Sequence, residues 1–257
     1  MSRRPTAPRH AIDISEENGV RCLHFGSDWV QGAMRVARPW SLELEYTRDM
    51  MTGLLLDPPT SQPRRILQIG LGCGSLTKFC YRHLPAAQIT VVEINPQVEF
   101  VARQYFKLPD DPARLKIVDG CGADFILGGD SHFDWIMVDG YDPDARTGPL
   151  DTLPFFQACR ARLSEDGLFV ANFLGRSKGF RESVARLGEA FDQRTLALPA
   201  CDSGNVVLLA SHGHAVSVDA NTLAERADAV RATTQLNAHP LLKRLKLAAQ
   251  HNGALQF

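Results

Sequence analysis

The sequence predicts an α/β protein whose central sheet is mostly parallel and is covered by helices on both faces. From residue 65 onward, short apolar runs alternate with stretches of helical periodicity. The first run breaks into a turn containing Gly70, Gly72 and Gly74 and then resumes as a helical pattern, and the second run ends on Glu93. This order of strand, glycine turn, helix, strand and acid is typical of a Rossmann-like fold that binds a nucleoside.

The chain divides into four predicted segments. Its 257 residues, 44% of them hydrophobic, suffice for one large α/β domain with a small appendage. Two prolines in a polar stretch indicate a disordered tail over residues 1–10. An N-terminal β element plus a helix is predicted over 11–60, the Rossmann-like nucleoside-binding domain over 64–215, and C-terminal helices over 216–257.

The N-terminal segment shows strand character before its helix. Three short runs, 11–14, 20–25 and 29–36, predict a small antiparallel sheet. After Pro39 the apolar period changes and predicts one helix over residues 42–55, which the pair Pro58-Pro59 ends.

The spacing of the glycines indicates which nucleoside is bound. A dinucleotide fingerprint reads G-x-G-x-x-G, whereas this chain reads G-x-G-x-G with Ser75 in the place of the last glycine. This spacing is similar to the adenosylmethionine type of Rossmann-like fold. Glu93, nineteen positions after Gly74, could accept hydrogen bonds from both hydroxyls of a ribose.

The predicted sheet has seven strands and is therefore of the methyltransferase type. The short turn Ser203-Gly204 makes the last pair of strands antiparallel, and the tail is predicted as two amphipathic helices interrupted at His239-Pro240. The strands are placed at 65–69, 88–93, 114–118, 134–139, 167–173, 194–198 and 205–211, and the helices near 75–84, 96–106, 121–127, 151–163 and 177–191.

Composition argues against several classes of protein. The net charge of −1 does not indicate binding to nucleic acid or to an anionic membrane surface. No apolar run reaches the ~18 residues of a membrane span, and no signal-peptide pattern opens the chain. The six cysteines form no C-x-x-C pair, which argues against a metal site and a disulfide framework. We therefore expect a cytoplasmic protein that acts on a small molecule and binds no metal.

Acidic residues follow three of the predicted parallel strands. Glu93 ends the second, Asp119 and Gly120 follow the third, and Asp139 and Asp142 follow the fourth. Ligands of open parallel sheets bind at these carboxyl ends. Asp119 and Asp142 each precede a residue that favours turns, so each could instead be a turn residue. Asp139 follows a strongly apolar strand, where its proton affinity would be raised, and is the candidate base.

The order of motifs resembles that of the spermidine synthases, the polyamine aminopropyltransferases, from about residue 11 to 211. The resemblance implies that Gln31, Glu93 and Asp119 bind the nucleoside, that Asp139 takes a proton from an attacking amine, and that Tyr46 and Asp142 lie on the acceptor side. It also implies a homodimer. In chain order the motifs are Gln31, Tyr46, the glycine turn, Val91-Val-Glu-Ile94, Val118-Asp-Gly120, Val138-Asp-Gly-Tyr-Asp-Pro143, Gly148-Pro149 and Leu163-Ser-Glu-Asp-Gly-Leu168.

Three departures from the family pattern fall on the acceptor side. Cys73 stands where the family's glycine loop has an acid that faces the aminopropyl group. Tyr46 is followed by Thr47 and Arg48 rather than by His or Gln, and Cys201 replaces a tyrosine in a late loop. A site for a polycation should be weakened by losing an anionic partner.

Three functions therefore stay open at this point. The leading hypothesis is aminopropyl transfer from decarboxylated S-adenosylmethionine to an amine. The second is methyl transfer from S-adenosylmethionine, because Ile69-Gly-Leu-Gly-Cys-Gly-Ser-Leu76 and Leu168-Phe-Val-Ala-Asn-Phe-Leu-Gly-Arg176 are also similar to the spermidine-synthase-like domain of eukaryotic protein methyltransferases. The third is a non-catalytic protein that only binds the nucleoside.

Overall fold

The structure is a computed structural model that describes residues 11–27, 29–56, 62–141, 146–248 and 254–257. It has an α/β architecture with a seven-stranded mixed sheet and a three-stranded antiparallel sheet, so the predicted fold class is confirmed. The tail predicted over residues 1–10 lies outside the described residues.

The small N-terminal sheet is built as predicted from three antiparallel strands. These are β1 (Ile12–Glu17), β2 (Val20–Phe25) and β3 (Gly32–Arg35), in the order β1-β2-β3. The third strand is shorter than the predicted 29–36, and Trp29 and Val30 before it are exposed. This loop is therefore available to form part of a site.

The single helix predicted over residues 42–55 is wrong, because the structure has two short helices there. They are α1 (Glu45–Asp49) and α2 (Gly53–Leu56). Between them the backbone forms i to i−3 hydrogen bonds, such as Thr52 N to Asp49 O at 3.1 Å. The Thr52 hydroxyl also donates to the Asp49 carbonyl and competes with regular helix bonding.

The central sheet consists of seven strands, which are β4 (Arg65–Ile69), β5 (Gln88–Glu93), β6 (Leu115–Asp119), β7 (Phe133–Val138), β8 (Leu163–Leu174), β9 (Thr195–Ala197) and β10 (Asn205–Ser211). Their order is β6-β5-β4-β7-β8-β10-β9, and β10 alone runs antiparallel to its neighbours. The order reverses at β4, which lies between β5 and β7. A crevice for a ligand is expected at such a switch point.

Helices cover both faces of this sheet because successive strand residues point in opposite directions. In β7, Trp135 and Met137 belong to the hydrophobic cluster on one face, and Ile136 and Val138 belong to the cluster on the other. The helices within this domain are α3 (Ser75–His83), α4 (Pro96–Phe106), α5 (Gly122–Leu127), α6 (Leu153–Ala161) and α7 (Phe180–Ala190), with a 3₁₀ turn at Gly148–Asp151.

The C-terminal segment has the two predicted helices, together with a small sheet that the sequence did not predict. A two-stranded sheet of β11 (Ser217–Asp219) and β12 (Ala254–Gln256) joins its ends, around α8 (Ala220–Thr234) and α9 (His239–Ala248). His239 and Pro240 begin the second helix rather than interrupt it, which suits proline in a first helical turn. The described helices include none long and apolar enough to cross a membrane.

The close approach of α2 to the central sheet gives a stability prediction. A Cβ on Gly53 would meet the indole ring of Trp135 and would lie 2.9 Å from the Leu168 side chain. We expect Gly53→Ala to lower the free energy of unfolding by about 1–3 kcal/mol through overpacking. Chemical denaturation measures this, with exposed Glu225→Ala in α8 as the control, for which a change below about 0.5 kcal/mol is expected. Equal midpoints for wild type and Gly53→Ala would contradict this packing.

Candidate functional site

A cavity of about 850 Å³ opens at the carboxyl ends of the parallel strands. Its walls come from the glycine turn after β4, the ends of β5, β7 and β8, the loop before β3, and α1. A cavity of this size and position is suited to a nucleoside together with a second small molecule. The sequence-predicted residues that line it are Gln31, Tyr46, Gly70, Gly72, Glu93, Gly120 and Asp139.

The glycine turn forms the floor of the cavity and packs directly on the backbone after β7. Gly70 has a φ of +92°, and a Cβ there would collide with the carbonyl oxygen of Asp139. Gly74 caps α3 in the left-handed region with a φ of +70°. Both positions therefore require glycine, and the turn and Asp139 are held at a fixed spacing.

Glu93 joins the end of β5 to the glycine turn. Its Oε2 accepts a hydrogen bond from Leu71 N at 2.9 Å, and its Oε1 accepts one from Asn95 N at 2.9 Å. Burial raises the pKa of this carboxyl, and the backbone N–H groups partly offset the rise. Each carboxylate oxygen keeps a second lone pair that could accept a hydrogen bond from a ligand hydroxyl.

Asp139 is held by one hydrogen bond on each carboxylate oxygen. Tyr46 of α1 donates its hydroxyl to Oδ2 at 3.0 Å, and Asn172 of β8 donates its amide to Oδ1 at 2.9 Å. Burial raises the pKa of this carboxyl above its ordinary value, while the two hydrogen bonds lower it. The result is an oriented carboxylate with an increased affinity for a proton, facing the cavity.

A chain of amide side chains behind Asp139 fixes the orientation of Asn172. The Asn205 amide donates to Asn172 Oδ1 at 2.9 Å, and the Ser203 hydroxyl donates to Asn205 Oδ1 at 3.0 Å. Because Asn172 Oδ1 accepts from Asn205, its NH₂ group must point toward Asp139. The sequence analysis missed Asn172 and Asn205, although a lone amide within the apolar run of β8 is a signal for a buried polar role.

Two further residues of the cavity wall were also missed. Tyr141 donates its hydroxyl to the Asn172 carbonyl at 2.8 Å, and burial raises the pKa of its phenol. Glu45 precedes Tyr46 in α1 and lines the cavity near Asp202. Its position in a helical pattern gave no sign that it would face a ligand.

The remaining predicted residues lie beside the cavity or outside the described residues. Asp119 is paired with Glu93 between β6 and β5, but it is exposed and does not line the cavity. Gly74 lies under the turn, where a Cβ would meet Leu108. Asp142 lies outside the described residues.

Cys73 points away from the cavity, which answers a question that the sequence leaves open. Its side chain is buried beside Gly32 in a small cluster with Leu23, Met34 and Phe106. Burial raises the pKa of its thiol. Cys73 therefore closes the contact between the glycine turn and the N-terminal sheet, and the turn presents no side-chain acid to a ligand.

The late loop around Cys201 also turns its cysteine inward. Cys201 is buried, with its Sγ 3.0 Å from the Ser203 hydroxyl, while Asp202 and Ser203 line the cavity.

Within the described ranges, no group of three His, Cys, Asp or Glu side chains could hold a metal ion.

The strand order of the sheet, the glycine turn and the acidic residues at the strand ends together assign this chain to a class of protein, the transferases with an adenosylmethionine-type fold. The family model described as "Spermine/spermidine synthase domain" matches residues 43–182. A polyamine aminopropyltransferase of Neisseria meningitidis is 38% identical over 242 residues, which cover 94% of this chain and 91% of that protein. The chain therefore belongs to the spermine/spermidine synthase family.

Two solved structures share the fold. A spermidine synthase in complex with the transition state analogue AdoDATO superposes with a TM-score of 0.62 at 25% identity, covering 87% of this chain and 79% of that one. Human methyltransferase-like protein 13 in complex with SAH superposes with a TM-score of 0.66 at 27% identity, covering 75% of this chain and 93% of that one.

The differing environments of the cysteines test the orientation of Cys73. Cys121 lies in the cavity wall and is half-buried, so it should react with iodoacetamide in the folded protein, whereas burial raises the pKa of the Cys22 thiol and should slow its reaction. Cys73, which is 2% exposed, should react only after unfolding. Mass spectrometry of digested protein measures each site separately. Labelling of Cys73 in the folded state at the rate of Cys121 would show that Cys73 faces the cavity.

Proposed function

We propose that the protein transfers the aminopropyl group of decarboxylated S-adenosylmethionine to an amine, with Asp139 as the general base. One observation carries the proposal: the carboxylate of Asp139, oriented by Tyr46 and Asn172, faces the cavity of a chain that belongs to the spermine/spermidine synthase family. The activity named for the Neisseria meningitidis relative supports the reaction class.

The reaction needs a proton acceptor because an ammonium has no lone pair for attack. Asp139 removes a proton from the acceptor ammonium, and the amine nitrogen then attacks the aminopropyl carbon bonded to the sulfonium. The new C–N bond forms as the C–S bond breaks, and the C–S electron pair stays on sulfur as a neutral thioether. The raised pKa of Asp139 favours this proton transfer, because a more basic carboxylate holds the proton more firmly.

The nucleoside would lie across the glycine turn with its sugar at Glu93. Glu93 has acceptor capacity for ribose hydroxyls, and the absence of a side chain at Gly72 allows the ligand to approach the backbone. Gln31 and Gly120 form the adjoining walls. We place Asp119 at the outer rim of the nucleoside site, since it lies beside Glu93 without lining the cavity.

Methyl transfer is the less favoured alternative. The methyltransferase likeness covers 75% of this chain at 27% identity, whereas the aminopropyltransferase relative covers 94% at 38%. A purely binding role is also less favoured, because the partly buried hydrogen-bond chain from Asn205 to Asp139 orients a carboxylate that nucleoside binding alone does not need. The homodimer and the cytoplasmic location stay predictions.

Replacing Asp139 tests its role as the base. Asp139→Asn should lower kcat by at least about 10²-fold with decarboxylated S-adenosylmethionine and an amine, while thioether-nucleoside affinity stays within about twofold, because the amide cannot accept the proton. Product formation by mass spectrometry and calorimetric titration measure the two quantities. Asp228→Asn, on an exposed face of α8, is the control. Unchanged turnover would remove Asp139 from the mechanism.

Removing the Tyr46 hydroxyl tests how its hydrogen bond changes the pKa of Asp139. The hydrogen bond from Tyr46 favours the ionised carboxylate and so lowers the pKa of Asp139. In Tyr46→Phe that pKa should rise, and the acidic limb of the profile of kcat/KM against pH should move to higher pH. Tyr81→Phe removes a similar bond to Asp111 far from the cavity and should leave the limb in place. A limb that moves to lower pH, or does not move, would contradict the assignment.

A further inference from the structure

The acceptor end of the cavity has an acidic side chain that the family pattern does not account for. Cys73 occupies the position of the loop acid and is turned into a hydrophobic cluster, so it gives a cationic ligand no partner. Glu45 lines the cavity one residue before Tyr46. Its side chain is 41% exposed, which leaves the carboxylate accessible from the cavity.

Strand order places Glu45 on the side of Asp139 that lies opposite the nucleoside end. Glu93 ends β5, Asp139 follows β7, and the loop that contains Asp202 precedes β10, two strands further along the sheet. Glu45 Oε2 accepts a hydrogen bond from Asp202 N at 3.2 Å and therefore lies at this β10 end. With neighbouring strands about 4.8 Å apart, β7 and β10 are separated by roughly 10 Å.

Arg244 of α9 contacts Glu45, but it makes its closer ion pair with another residue. The guanidinium contacts Glu45 Oε1 at 3.4 Å and Asp49 Oδ2 at 2.7 Å, so its closer ion pair is with Asp49. Asp49 is buried, and desolvation raises its pKa to about 6 although Arg244 opposes the rise, so it is mostly ionised at neutral pH. Arg48 also lowers the pKa of Asp49. Because Asp49 takes the closer contact with Arg244, the more exposed carboxylate of Glu45 stays accessible from the cavity.

The cavity wall near Glu45 combines apolar and acidic side chains, as the binding of an aliphatic amine requires. Leu44 and Leu174 line the cavity together with Glu45 and Asp139, and Leu174 pairs with Asn205 at the start of β10. Apolar side chains can cover a methylene chain, while a carboxylate at each end can pair with an ammonium. The spacing between strands also accommodates a short diamine.

We propose that Glu45, positioned by Arg244 and the amide of Asp202, binds the far ammonium of the acceptor and selects amines with two cationic groups. The inference rests on the proposed function in that it assigns the near ammonium to Asp139. This anionic partner for the acceptor comes from α1 and is held by the C-terminal helix, and it is separate from the family's loop acid, which faces the aminopropyl group.

Amine affinity tests the inference without requiring turnover. Protein saturated with 5′-methylthioadenosine is titrated calorimetrically with 1,4-diaminobutane and with 1-aminobutane. In wild type the diamine should bind more tightly, and Glu45→Gln should weaken diamine binding roughly 10- to 100-fold, the range expected for a charge-assisted hydrogen bond, while monoamine binding changes less than about twofold. Glu43→Gln, which breaks an ion pair with Arg35 outside the cavity wall, is the matched control and should leave both affinities unchanged.

The outcomes separate this inference from the proposed function. Two results with Glu45→Gln would overturn the role of Glu45 even if wild type transfers aminopropyl groups. One is an equal loss of affinity for both amines, and the other is an unchanged affinity for the diamine while nucleoside affinity is intact. Selective loss of the diamine would support the role of Glu45 even if the transfer reaction itself were absent. Turnover of wild type with the diamine is measured in parallel and reports on the proposed function alone.

Discussion

The paired hydrogen bonds to the Asp139 carboxylate are the constraint on which the rest of the site depends. One comes from Tyr46 in the N-terminal segment and the other from Asn172 in the central sheet, so the carboxylate joins the two parts of the fold. A buried carboxylate without such partners would be strongly destabilised or would remain protonated. With them, the carboxylate is held in one orientation, while burial raises its pKa and so increases its affinity for a proton.

The glycine turn packs against the residue that carries this carboxylate. Gly70 lets the turn pack on the backbone of Asp139, and Glu93 holds the same turn through Leu71 N. The spacing between Glu93 and Asp139 is therefore set by contacts with the backbone of the turn. This rigidity suits a displacement reaction, because attacking and leaving atoms must align closely along one line.

The sequence predicts the residues at the proposed donor end of the cavity better than the residues at the proposed acceptor end. Gly70, Glu93 and Asp139 are predictable because parallel strands must end at one edge and left-handed backbone requires glycine. Asn172, Asn205 and Glu45 depend on strand register, on the break between α1 and α2, and on the docking of α9. The inward turn of Cys73 depends on the space that Gly32 leaves in the N-terminal sheet, a tertiary contact that no local pattern encodes.

A competition between two donors distinguishes aminopropyl transfer from methyl transfer in a single experiment. Equal concentrations of decarboxylated S-adenosylmethionine and S-adenosylmethionine are offered to the wild-type protein with 1,4-diaminobutane, and the products are identified by mass spectrometry. We expect the aminopropylated amine together with 5′-methylthioadenosine. A methylated amine with S-adenosylhomocysteine, while the decarboxylated donor remains unconsumed, would contradict it.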